Sequence, residues 1–185
     1  MDQVQLESSV LGRSFTLLNA LASHSDGVGI TWIAHSCGIP KATTHRLLGQ
    51  MEALGVVARA EGLYRVGSRV FRLARAWEPY PQLLTAVRRP LNELAATTRT
   101  SAVLTVRCQN DDLIAAASLT RAEDVLLLSP GGLVPRGMEF VSTPVLAPTG
   151  RDIAMLAAAV GGGRPGSLSA AVRHAARAVS AGLSR

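Results

Sequence analysis

The chain predicts an α+β fold in two parts, and three observations carry that prediction. Apolar residues recur at helical spacing from Leu11 to Leu54 and again from Val70 to Ala95. From Ser101 the period changes, and SAVLTVR, LIAAASL, EFVSTPVLAP and RDIAMLAAAV read as strands. Pro79 and Pro81 stand between two helical patterns and mark the best boundary between the parts. The second half is therefore expected to be an antiparallel sheet with helices packed on it.

Length and composition permit this. At about 100–200 residues per domain, 185 residues hold one domain or two small ones. With 48% apolar and 17% charged residues, the chain is not mainly disordered and has material for a core. No uninterrupted apolar run approaches the ~20 residues that span a bilayer. MDQVQLESSV has neither the basic nor the apolar region of a signal peptide. Cys37 and Cys108 lie far apart with no metal-ligand spacing, which argues against a disulfide framework or a zinc site. A cytoplasmic protein with no metal and no membrane partner is expected. The net charge of +6 is concentrated. Residues 40–75 carry Lys41, Arg46, Arg59, Arg65, Arg69, Arg72 and Arg75 against Glu52 and Glu61. Such a concentration attracts phosphate, on nucleic acid or at an anionic membrane. The other reading is a solvated Arg-rich surface, since Lys41 is the sole lysine.

Ser8 or Ser9 caps a first helix over about 10–23, with Leu11, Phe15, Leu18 and Leu21 as its apolar stripe. Thr31 caps a short second helix, with Ile33, Ala34 and Cys37 inward and Gly38 at its end. Pro40 suits the first turn of a third helix, which runs through Leu47, Leu48, Met51 and Leu54 to Gly55. Helix, Gly-containing turn, helix is the helix-turn-helix pattern. The third helix is divided along its length. Its later turns are apolar and must pack, while Lys41-Ala42-Thr43-Thr44-His45-Arg46 is small, polar or basic. A recognition helix needs this division, because its first turns enter the major groove. The plainer reading is an amphipathic helix with a solvated start. Val56 to Val66 then reads as a hairpin with Glu61-Gly62 at the turn. A basic hairpin at this place is a wing, with Arg59 and Arg65 flanking the duplex backbone and Tyr64 packing. Residues 1–67 thus predict a winged helix-turn-helix DNA-binding domain, with Thr31, residues 41–46, Arg59 and Arg65 on its DNA side.

Residues 68–81 read as a linker helix opened by Ser68 and ended by Pro79 and Pro81. Val70, Phe71, Ala74 and Trp77 share one face, too large to leave bare, and are expected to dimerise. Residues 82–185 form the second domain. It begins with a helix over about 82–98, kinked at Pro90. Five strands follow, the third being Val125-Leu126-Leu127-Leu128. Gly161-Gly162-Gly163 reads as a flexible break before a final helix over about 167–184.

Across 10–77 these residues resemble the IclR-type bacterial transcription regulators. LGRSFTLLNALA, then ITWIAHSCGIPKATTHRLLGQMEALGVV, then LYRVGSRVFRLA carry the resemblance, and IPKATTHRLL followed by MEALG is its most specific string. The resemblance implies that Lys41, Thr43, Thr44, His45 and Arg46 lie on the DNA-reading turns. Arg13 falls where the family places an arginine in its first helix. AVRRPLNELAATTRTSAVLTV and EFVSTPVLAPTGRDIAMLAAAV are similar, more weakly, to the two ends of the family's GAF-like effector-binding domain. The family's intervening Gly-Lys-containing helix and helix–strand segment have no counterpart, and Gly131 to Gly137 bridges directly. Where the family often carries small polar residues and a cysteine, this chain has Ala157, Ala159 and Phe140. Those replacements remove hydrogen-bond donors for an anionic effector. Thr105, Ser118 and Thr143 are the remaining polar candidates, and an apolar or aromatic ligand, or none, is expected.

No phosphate loop, HExxH or GxSxG occurs, so an enzyme and a cofactor are not expected. The leading expectation is a sequence-specific DNA-binding regulator, a homodimer or tetramer on a palindromic operator in double-stranded DNA. The competing expectation is a protein-interaction module with a degenerate sensor domain and secondary DNA binding.

Overall fold

The computed structural model describes residues 9–160 and 165–184. Ser8, with the rest of the first eight residues, and Gly161-Gly162-Gly163 lie outside the described residues. The chain divides into two compact units, Met1–Trp77 and Glu78–Arg185.

In the first unit, Ser9 Oγ accepts from the Gly12 N–H at 2.9 Å and caps α1 (Val10–Ala22). β1 (Val28–Gly29), α2 (Ile30–Ser36) and α3 (Lys41–Ala53) follow. α3 ends in a Schellman turn. Gly55 takes φ +70°, its N–H donates to Glu52, and the Val56 N–H donates to Met51. β2 (Val57–Ala60) and β3 (Leu63–Val66) pair across Glu61 and Gly62, both left-handed, as a type I′ hairpin turn requires. β1 adds to the other edge of β3, giving an antiparallel sheet of order β1-β3-β2. α4 (Ser68–Ala74) closes the unit. Leu17, Leu21, Ile33, Leu47, Leu48, Val57 and Tyr64 form its core. Each fully buried leucine contributes about 1.5–3 kcal/mol through removal from water.

Several local expectations are corrected. The buried side of α1 carries Leu17 and Leu21, whereas Leu11 and Phe15 are 68% and 57% exposed. Apolar residues cover most of the circumference of α1, so periodicity does not choose the buried side. Gly29, not Thr31, is the N-cap residue of α2, because the chain enters the helix straight from β1. Two residues are too few to show a strand period, so β1 left no signal. Pro40 is the N-cap residue of α3, one place ahead of its first turn. Leu54 sits at the C-cap and is exposed. α4 buries none of its residues and stops at Ala74, so Trp77 follows the helix.

The second unit contains α5 (Leu83–Thr98, with Pro90 inside it), β4 (Ala102–Cys108), β5 (Asp111–Ser118), α6 (Asp124–Leu127), β6 (Phe140–Leu146), β7 (Asp152–Ala159) and α7 (Pro165–Gly182). The strands form one antiparallel sheet of order β5-β4-β7-β6. α5 and α7 cover one face, where Val87, Leu91, Val172 and Val179 bury against Leu104, Val145 and Leu156. The other face carries a smaller cluster of Val103, Ile114, Leu128 and Ala157, with Val134, Met138 and Phe140 packed against it.

Residues 125–128 are not a strand, so the sheet has four strands and not five. They form α6 and its C-cap, because a four-residue apolar run is compatible with either element. Only Leu128 of that run is buried. The chain after α6 runs along the β5 edge, where Gly131 and Val134 N–H groups donate to Ile114 and Asp112. It then crosses the face to β6 on the opposite edge.

Candidate nucleic-acid interface

α3 is held by its later turns and presents its earlier ones. Leu47, Leu48 and Met51 are buried in the core. Lys41, Ala42, His45 and Arg46 are exposed, at positions that share one helical face. Gly49 and Gln50 are exposed too and continue that face by one turn. Sequence reasoning passed over Gln50, although its spacing of four from Arg46 was the available signal. Thr43 is half-buried. Thr44 is a correction. It is fully buried, and its Oγ1 donates to the Ile39 carbonyl at 3.3 Å, so it braces the turn and does not reach a groove. Thr31 is exposed in the first turn of α2. Arg13 is half-buried and lines a groove of about 660 Å³ with Cys37, Gly38 and Ile39, which lead into α3.

Arg59 and Arg65 are both exposed, but on opposite faces of the hairpin. Arg59 is paired with Tyr64, and Ala58 with Arg65, so the two arginines project to different sides. The Arg59 guanidinium lies 5.3 Å from the centre of the buried Tyr64 ring, within cation–π range. Arg65 runs beside Gly27. On α4, Phe71 is 69% exposed, Ala74 is exposed and Val70 is half-buried. Trp77 is exposed beyond the helix end.

The candidate effector residues divide between the two faces of the sheet. Phe140 pairs with Ala159, and Val103 with Ala157, which puts Phe140, Ala157 and Ala159 on the face away from α5 and α7. Thr105 follows Val103 on the same side. It is buried, and it lines a pocket of about 300 Å³ with Arg107, Asp112 and Met155. Arg107 and Asp112 pair at 3.0 Å there. Ser118 pairs with Ala102 and Thr143 with Leu156, so both lie on the helix-covered face. They do not join the others, because the strand register sends them through to the opposite side.

Cys37 is half-buried, and burial pushes its thiol up from the ordinary cysteine range. Cys108 is exposed. Among the described residues no group of three or more His, Cys, Asp or Glu is arranged to hold a metal ion. No helix among them is long and apolar enough to cross a membrane.

Residues 10–61 match the IclR helix-turn-helix domain. The acetate operon repressor of Salmonella typhimurium is 28% identical over 129 residues, 68% of this chain and 47% of that protein. The transcriptional repressor IclR of Escherichia coli is 29% identical over 103 residues, 55% of this chain and 38% of that protein. The matched part thus spans less than half the length of these relatives. Among solved structures, an IclR homologue from Microbacterium hydrocarbonoxydans, complexed with 4-hydroxybenzoate, superposes with a TM-score of 0.81 at 17% identity, covering 95% of this chain and 99% of that one. HmgR from Pseudomonas aeruginosa superposes at 0.63 with 20% identity, covering 90% and 95%. Residues 10–61 thus form a helix-turn-helix domain of the IclR type, and the chain shares its fold with solved IclR-type regulators.

Proposed function

We propose that the chain is a sequence-specific DNA-binding transcription regulator that works in the cytoplasm and is not an enzyme. The observation that carries this reading is the division of α3. Its later turns are locked in the core, and its first turns offer Lys41, Ala42, His45 and Arg46 on one exposed face. Ala42 and Gly49 let the helix approach closely, while Arg46 and Gln50 have the donors that read guanine and adenine edges. Arg59 on the wing meets the phosphate backbone, which adds affinity but no sequence information. Arg13 and Lys41 add positive charge beside the same turns.

Two copies, joined through Val70, Phe71, Ala74 and Trp77, read a palindromic operator. The second unit serves association first. Leu128, Val134, Met138 and Phe140 fill the sheet face beside Ala157. One solved neighbour is complexed with 4-hydroxybenzoate, an aromatic acid. The apolar lining here suits the ring of such a compound, but among the described residues no cation belongs to that cluster, and Arg107, beside Thr105, is paired with Asp112. An apolar or aromatic effector is therefore favoured over a polar organic acid. Selection of bound duplexes from a random pool tests the central reading. Recovery of one palindromic consensus supports it, and recovery of an unchanged pool contradicts it.

A further inference from the structure

The end of α3 and the start of α4 are joined by a compact set of contacts. A helix leaves its last carbonyls without partners. The Schellman turn at Gly55 uses the carbonyls of Met51 and Glu52, and the carbonyls of Leu54, Gly55 and Val56 take donors from elsewhere. All three are supplied by residues 67–69. The Arg69 guanidinium donates to Leu54 at 3.0 Å, the Arg69 N–H donates to Gly55 at 3.2 Å, and the Gly67 N–H donates to Val56 at 2.8 Å.

The two backbones also touch. Gly67 is buried, and a Cβ built on it would lie 2.3 Å from the Gly55 carbonyl oxygen and 2.8 Å from the Val56 carbonyl carbon. No side chain fits there. The carbonyl end of α3 therefore meets the first N–H groups of α4, and the opposite partial charges of the two helix ends attract. The same guanidinium adds its positive charge at the carbonyl end of α3. Arg69 is exposed and looks like one more basic residue for DNA, but its guanidinium also donates to protein, at the Leu54 carbonyl.

We propose that Arg69 is a positioning residue for DNA reading. With the Gly55–Gly67 contact, it clasps the recognition helix to α4 so that the two turn as one body. The proposal rests on α3 as the DNA-reading helix. Its consequence is that the orientation of α4 sets the angle at which Lys41, His45 and Arg46 are presented.

The test compares Arg69→Met, Arg69→Lys and Gly67→Ala with the parent chain. Each is titrated at several salt concentrations against the duplex that the parent selects from a random pool and against a scrambled duplex. Circular dichroism first establishes that each variant is folded at the assay temperature. Arg69→Met is expected to lose about tenfold of the preference for the selected duplex, a base contact's worth of discrimination, at an unchanged salt slope. Arg69→Lys should retain most of that preference, because its ammonium reaches the same carbonyl. Gly67→Ala should lose preference as well. If it does not fold, the Arg69 pair decides alone. A salt slope lowered by about one at unchanged preference would make Arg69 a phosphate contact and overturn the proposal. Variants identical to the parent overturn the clasp alone. A parent that shows no preference overturns the DNA reading and the clasp with it.

Discussion

Ser101 Oγ donates to the Asp124 carboxylate at 2.5 Å, and both side chains are buried. The Thr120 N–H donates to the same Oγ at 3.0 Å, and the Ala159 N–H donates to the Ser101 carbonyl at 2.9 Å. One serine thus ties the start of β4, the end of β7 and the entry to α6. Ser101→Ala leaves the buried carboxylate without its hydroxyl donor. A loss of roughly 1–3 kcal/mol in urea unfolding is expected. An unchanged midpoint would show that water reaches Asp124.

Arg46 and Arg59 should fail in different ways. Arg46→Ala is expected to cost about 1–3 kcal/mol of binding on the selected duplex and much less on a scrambled one. Arg59→Ala should weaken both alike and lower the salt slope by about one. A uniform loss for Arg46, or a shifted sequence preference for Arg59, reverses the assignment.

Phe71 lies 69% exposed on a helix that buries none of its own residues within the first unit. The parent chain should sediment as a dimer or larger. Phe71→Glu should give folded monomers, because a charge buried unpaired at an interface is costly. A monomeric parent contradicts the dimer.

Thermal melts decide the effector question. A compound at a hundred times its dissociation constant adds about 2.7 kcal/mol of stability. An apolar aromatic should raise the melting temperature more than simple carboxylic acids do. A clear rise with a small carboxylate overturns the preference argued from Phe140, Ala157 and Ala159.

Burial raises the Cys37 thiol, so the unfolded chain loses that proton first as pH rises. Stability is intact below the ordinary thiol range and falls from there through the raised value. The stability gap between the parent and Cys37→Ser should therefore change between about pH 7 and about pH 9.5. A gap independent of pH would mean the thiol is as well solvated as in the unfolded chain.

The helix-turn-helix was legible because Gly38 and Gly55 punctuate it and Leu47, Leu48 and Met51 recur at helical spacing. The hairpin was legible from Glu61-Gly62. Faces were harder to read. Apolar residues spread over more than half of the circumference of α1, so their spacing does not single out Leu17 as buried or Phe15 as exposed. Thr44 has the residue type of a base reader, but its position in α3 points it at Ile39. Ser118 and Thr143 look like Thr105 in sequence, and only the strand register separates them. The clasp at Arg69 had no sequence signal, since it joins a guanidinium to a backbone carbonyl fifteen positions away.

The most direct measurement is a titration of the parent chain against its selected duplex and a scrambled duplex of equal length, each at several salt concentrations. The account predicts that affinity for both falls as salt rises, and that the selected duplex binds at least about 10³-fold more tightly. Equal affinity for the two duplexes at every salt concentration would contradict it.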